Sequence, residues 1–331
     1  MLLPLLLGGY VIFYFYDQLS DDEKDQLFEA FGEANYLWII VSLVCGLISH
    51  MSRAYRWRFL LEPLGYKPSY WNCYHSLMVG YLINYALPRA GEASRAGLLY
   101  RYEKVPFSKG FGTIIAERII DLVMLGIIAA ITLGLQLDKI DLFQQRIDQF
   151  NNGGGDGGSS YMIWYILGGI MVVGLLAFFL IKWVRNKVMG LVKGVYEGVM
   201  SVLSMKKKGA FLLHTLTIWG MYVAMFGLCF FSLEATSDIP AGGILAGFVA
   251  GTIGIVLVQG GIGVYPAFVG MILTVYLAPG SEDLIAVEAL ALGWIIWSSQ
   301  TLMMIILGGI SVFLLPRINA QKNTDHVTSP R

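Results

Sequence analysis

The chain has 331 residues, 56% of them hydrophobic and 14% charged, and its 23 basic and 23 acidic side chains cancel. Soluble domains carry about 25% charged residues, so most of this chain reads as segments made for lipid. A net charge of zero excludes the basic surplus of a nucleic-acid binder, and Cys45, Cys73 and Cys229 each lie in an apolar stretch without metal-site or disulfide spacing.

Crossing the hydrocarbon core takes roughly 20 apolar residues in a helix. Leu2–Tyr16 is apolar, lacks the basic start and small-residue cleavage site of a signal peptide, and is expected to be a retained first helix. Asp21–Glu33 reads as an acidic, partly amphipathic outer helix. Tyr36–Ser52 predicts a span that ends in the basic stretch Arg53–Arg58. Trp71–Leu87 enters from that same side and breaks at Leu87-Pro88-Arg89-Ala90-Gly91-Glu92. The stretch Glu92–Phe107 is too polar for an ordinary return span, and Phe111–Leu135 must start from the basic side. The break therefore predicts a re-entrant hairpin, which the membrane tolerates only where protein or a wet cavity covers the irregular backbone.

Further along, Asn151–Ser160 is a Gly/Ser-rich flexible loop and Tyr161–Trp183 a span. The linker 184–208 carries apolar residues at helical spacing between basic flanks. It reads equally as a helix lying on anionic lipid or as a plain basic connector. Phe211–Leu233 is a span. The apolar stretch Ile244–Leu315 is cut at Gln259–Pro266 and again at 278–283. Its first two pieces run to only about 15 residues each, which favours a second hairpin over two short spans.

Placing the basic segments in the cytoplasm leaves only Lys24, Lys139 and Arg146 outside, so 20 of the 23 Lys and Arg lie inside. This predicts a multi-pass inner-membrane protein with both termini cytoplasmic, an outer loop at 136–160 and a tail at 316–331. The order helix, broken hairpin, helix occurs over 36–135 and again over 209–315 in opposite orientation, the pattern of inverted-repeat transporters. The expected fold is thus an all-α membrane protein, a polytopic helical bundle forming a single integral domain over 1–331. It holds about six full spans plus two re-entrant hairpins, or about eight membrane segments.

Charge at membrane depth marks the candidate site. Arg89, Glu92 and Arg95 sit at the first break, and Glu117, Arg118 and Asp121 lie inside the next span. Glu117 and Asp121, four apart, share a helix face, and Arg118 is spaced to pair with Asp121. Six isolated charges would cost roughly 15–20 kcal/mol on an insertion scale, so they compensate one another or line water. One reading is a polar pocket whose guanidinium groups grip a phosphate; the other is a salt-bridge network that pins the hairpin. Gly260, Gly261 and Gly263 in the second break permit tight turns and can present amides to an anionic headgroup, or simply allow close helix packing. Asn72, Asn84 and Tyr85 line the pocket or hydrogen-bond between helices, and Glu288 is read as interfacial. His50, His75 and His214 fall near membrane boundaries and are read as interfacial too. No zincin, serine-hydrolase or phosphate-loop motif occurs, and no cofactor or metal is expected. The implied partners are a membrane lipid with an anionic or zwitterionic headgroup, a second copy of the chain or a lipid-synthesis protein, and no nucleic acid.

The run Gly80-Tyr81-Leu82-Ile83-Asn84-Tyr85-Ala86-Leu87-Pro88-Arg89-Ala90-Gly91-Glu92-Ala93-Ser94-Arg95, followed by Glu117-Arg118-Ile119-Ile120-Asp121, resembles the lysylphosphatidylglycerol synthase transmembrane-region family. The Arg53–Arg58 turn fits as well. The resemblance implies a flippase-like fold with re-entrant helices and places Asn84, Arg89, Glu92, Arg95, Glu117, Arg118 and Asp121 in a polar pocket. Two departures stand out. The chain is expected to lack the soluble aminoacyl-transferase domain of the full-length synthases. Its second motif, Gln259-Gly260-Gly261-Ile262-Gly263-Val264-Tyr265-Pro266, lacks the family's Glu, so the lipid handled is expected to differ. The leading expectation is a stand-alone translocase for a phospholipid or polyprenyl-linked lipid. The alternatives are a non-catalytic membrane scaffold or accessory subunit, and an intramembrane enzyme using Glu117 or Asp121 as base.

Overall fold

The computed structural model describes residues 19–87, 90–139, 205–278 and 285–328, with scattered positions between 9 and 17 and between 142 and 189. The Gly/Ser-rich loop, the span expected at Tyr161–Trp183 and nearly all of the 184–208 linker lie outside the described residues, as do Pro88 and Arg89. Every regular element among the described residues is helical.

The first helix, α1 (Asp21–Glu33), starts from a reciprocal cap: the Ser20 hydroxyl accepts from the Glu23 amide while Glu23 accepts from the Ser20 amide. Three acids in its first turn complement the positive end of the helix dipole. A long helix, α2 (Tyr36–Leu61), follows, then a short pair, α3 (Tyr70–Ala86) and α4 (Ala90–Glu103), then a second long helix, α5 (Phe107–Leu135). The second half repeats the order with α6 (Lys208–Leu228), the short pair α7 (Ala241–Leu257) and α8 (Val264–Leu277), and the long α9 (Val287–Thr328).

Three helical stretches among the described residues are long and apolar enough to cross a membrane by length and composition: Tyr36–Leu64, Lys208–Ser232 and Val287–Ala320. Helix α5 is just as long, 29 residues, and its three mid-helix charges are what break its apolar run. The short legs have matching lengths, 17 and 14 residues in the first pair and 17 and 14 in the second. At about 1.5 Å per residue each leg reaches only about 20–25 Å, short of a full hydrocarbon core.

The two legs of each pair run back along each other. In the first pair the approach is so close that a Cβ on Gly91 would lie 2.1 Å from the Gly80 carbonyl oxygen, so glycine is obligatory there. The turn of the second pair needs Gly260, Gly261 and Gly263 for another reason: their φ values are +75°, +69° and +71°, the left-handed region closed to most side chains.

Packing between the halves follows a pattern. Helix α2 lies along its counterpart α6; α3 packs on α9, and α7 packs on α5; α4 packs on α5, and α8 on α9. Exchanging the halves turns these pairs into one another, whereas the contacts of α2 with α5 and with α9 have no counterpart of similar extent from α6. The turns meet in the middle: the Tyr85 ring is in van der Waals range of where a Cβ on Gly260 would stand, and Trp297 donates its indole N–H to the Gly260 carbonyl at 2.7 Å. Two apolar clusters fill the bundle. One gathers α6–α9 together with α1 and the start of α2, and the other joins α2 through α5 around Trp57.

Two expectations need correction. The first long helix does not stop at Ser52 but continues to Leu61, carrying Arg53 and Arg56 into the interior. Those two arginines are spaced i, i+3 and so share the face that also buries Trp57 and Leu60. His50 and His75 are buried rather than interfacial, the first with its ring edge against Tyr81 and Tyr222. Asn72 is also buried. It exchanges hydrogen bonds with Asn319 at 2.9 and 2.8 Å and donates to Glu103, which ties the base of the first hairpin to α9, the interhelical bonding that the sequence offers beside pocket lining. Glu288 is exposed at the start of α9.

Candidate functional site: a buried ion lattice with an open pair at its edge

Glu117 and Asp121 lie one turn apart on α5 and face α2, as their spacing requires. Arg53 donates to both, at 2.9 Å to Glu117 and 2.6 Å to Asp121. Arg56 reaches Asp121 at 2.8 Å and Glu117 at 3.4 Å. Arg95, from α4, closes the other side of Glu117 at 2.8 Å. The lattice is dry: the Arg56 side chain is 0% exposed and that of Glu117 1%.

Aromatic rings and hydroxyls hold the arginines in register. The Arg95 guanidinium carbon stands 3.8 Å from the centroid of Trp57, a cation–π contact of the kind that gains strength when desolvated. Trp57 in turn donates to the Thr113 hydroxyl at 2.9 Å, and Arg56 donates to the Thr215 hydroxyl at 3.2 Å. Helices α2, α4, α5 and α6 are thereby locked together. Three guanidinium groups against two carboxylates leave this core with one surplus positive charge.

The second half of the expected cluster is different in kind. Arg118 does not pair with Asp121, which Arg53 and Arg56 already hold. It points about a quarter-turn away on α5 and donates to Glu92 at 2.9 Å. This pair is not sealed: the Arg118 side chain is 47% exposed and that of Glu92 26%. Arg118 is the twelfth residue of α5, about 17 Å along the helix. Asn84 supports the pair from the facing leg, its side-chain oxygen accepting from the Gly91 amide at 2.8 Å. The structure therefore brings together Asn84, Glu92, Arg95, Glu117, Arg118 and Asp121. Arg89 lies outside the described residues. Gly260, Gly261 and Gly263 form the opposing turn, against Tyr85 and Trp297, and do not touch the charges.

Arg53 and Arg56 are site residues that reading by charge asymmetry assigned to the cytoplasmic flank. The signal that finds them is the matched spacing, Arg-x-x-Arg on one helix against Glu-x-x-x-Asp on another. Among the described residues no three His, Cys, Asp or Glu side chains converge as a metal site requires.

Long apolar helices, paired short legs with glycine turns and a compensated charge cluster within the bundle define an integral membrane protein of the α-helical class. The chain belongs to the lysylphosphatidylglycerol synthase transmembrane-region family, whose profile matches residues 1–309. It is 27% identical over 100 residues to a UPF0104 membrane protein of Methanocaldococcus jannaschii, a match covering 29% of this chain and 30% of that protein. It is 25% identical over 112 residues to the glycosyltransferase AglD of Haloferax volcanii, covering 34% of this chain and 18% of that one. The matched region thus spans less than a third of either relative. No solved structure matches the chain.

Proposed function

We propose that this protein is a lipid translocase, moving a phospholipid or polyprenyl-linked lipid between the leaflets of the cell inner membrane. The two short-legged pairs act as re-entrant hairpins entering from opposite faces, and the halves act as inverted repeats. The symmetric packing pattern and the contact between the two turns support that reading. Family membership and the two membrane relatives support a lipid-related role.

One observation carries the proposal. Arg118 and Glu92 form an ion pair at depth that protein leaves half-open, although hydrocarbon is a costly neighbour for charge. A lipid phosphate replaces Glu92 on the Arg118 guanidinium, and the carboxylate takes the guanidinium back as the headgroup leaves. Acyl chains remain in the bilayer throughout. The sealed lattice behind holds the hairpin in place, and its surplus positive charge favours the incoming anion. A static scaffold accounts for the lattice but gives the open pair no role.

The test is transbilayer movement of fluorescent phospholipids in proteoliposomes. Arg118→Gln is expected to slow transport by about 10-fold or more, the loss of one charge-assisted phosphate contact of at least ~1.4 kcal/mol. Arg118→Gln protein that folds normally and transports like wild type refutes the assignment. Wild-type protein that moves no lipid while co-purifying with a lipid-synthesis partner supports the scaffold instead.

A further inference from the structure

A half-open cavity of about 210 Å³ lies between α1 and the first turns of α9, and no residue of the ion lattice lines it. Leu27, Phe28 and Phe31 of α1 form its roof, Leu290 and Trp294 of α9 its wall, and Gly263 of the second turn lies at its edge. Leu290 and Trp294 fall in the first two turns of α9, so the cavity runs from the end of that helix down toward the second hairpin turn. Its named walls offer carbon almost throughout.

We infer that this cavity is a binding site for one acyl chain of a bilayer lipid whose headgroup carries no net charge. Enclosed apolar cavities of about 150 Å³ in proteins take up apolar guests; this one is larger and half-open, so a chain can enter it from the side. In a membrane protein the apolar guest at hand is a lipid tail; because that tail comes from hydrocarbon and not from water, its preference for the site rests on close packing against Leu27, Phe31, Leu290 and Trp294. The headgroup preference follows from the roof. Helix α1 exposes Asp22, Asp25 and Glu29, and its one basic residue, Lys24, stands over the ring of the cavity-lining Tyr16 and is paired with Asp21 at 3.2 Å, so acids outnumber bases on this helix. An anionic headgroup above that helix meets like charge, whereas a zwitterionic one does not. The site is independent of the transport proposal, since occupancy is read without any lipid movement.

The experiment uses the full chain in nanodiscs containing phosphatidylcholine with a diazirine on one acyl chain, followed by irradiation and mass-spectrometric mapping. Adducts at Phe31 and Trp294 are expected about tenfold above those at the bilayer-exposed Leu133 and Phe313, the ratio given by a site preference of ~1.4 kcal/mol. Leu27→Trp, which fills the cavity, is expected to bring them to the reference level. Unlabelled phosphatidylcholine should compete better than unlabelled phosphatidylglycerol. Equal labelling at cavity and reference positions, or labelling unchanged in a folded Leu27→Trp protein, overturns the site. Equal competition by the anionic lipid overturns the headgroup preference. Should Leu27→Trp fail to fold, the wild-type adduct map and the competition decide.

Discussion

Replacing Glu117 by Gln keeps the shape of the side chain and removes one of the two negative charges in the lattice. In wild type Glu117 receives Arg95 at 2.8 Å, Arg53 at 2.9 Å and Arg56 at 3.4 Å. With Gln, three buried guanidinium groups share Asp121 alone, and the surplus charge rises from one to two. At an effective dielectric of 20, a charge pair about 4 Å apart is worth about 4 kcal/mol. Removing one partner of a buried pair costs about 3–5 kcal/mol, because the remaining charge stays buried and uncompensated. We expect Glu117→Gln to lose that much, a large share of the ~5–15 kcal/mol that holds a typical domain together. Deleting a guanidinium as well relieves the imbalance, so Glu117→Gln with Arg95→Met should be more stable than the two single losses predict, by about 1–3 kcal/mol. Equilibrium unfolding in mixed micelles, followed by tryptophan fluorescence, measures all four proteins of the cycle. If Glu117→Gln lies within about 1 kcal/mol of wild type, or the two losses simply add, then the lattice is not the dry, interdependent unit described here.

Two further outcomes follow from the same packing. Gly91→Ala places a methyl group 2.1 Å from the Gly80 carbonyl oxygen and 2.6 Å from Asn84. It should part the hairpin legs at a cost of about 1–3 kcal/mol or more, while Gly97→Ala, inside α4 with no atom within 4 Å of the new Cβ, should raise the thermal midpoint slightly, since alanine is favoured over glycine in a helix by up to ~1 kcal/mol. Asn319→Ala strips a buried partner from Asn72 and should cost about 1–3 kcal/mol; a smaller further loss for Asn72→Ala on that background identifies the two amides as one unit.

Much of this architecture is written in local pattern. Apolar length marks α2, α6 and α9, the Ser20–Glu23 cap opens α1, and glycines mark the second turn, because each of these depends on a few neighbouring residues and a single solvent. Spacing along one helix was likewise enough to put Glu117 and Asp121 on a common face. Which arginines answer them was a different kind of question. Arg53 and Arg56 stand over 60 residues before their acids, and near the end of an apolar run they look like ordinary flanking charge. Only the register of α2 against α5 buries them, and by occupying Asp121 that packing turns Arg118 toward Glu92. The partners of a long charged side chain are set by whichever opposite charge the folded bundle brings within reach. Sequence therefore determined that charge lies at depth in this protein, and tertiary structure decided which charges are sealed and which pair stays open.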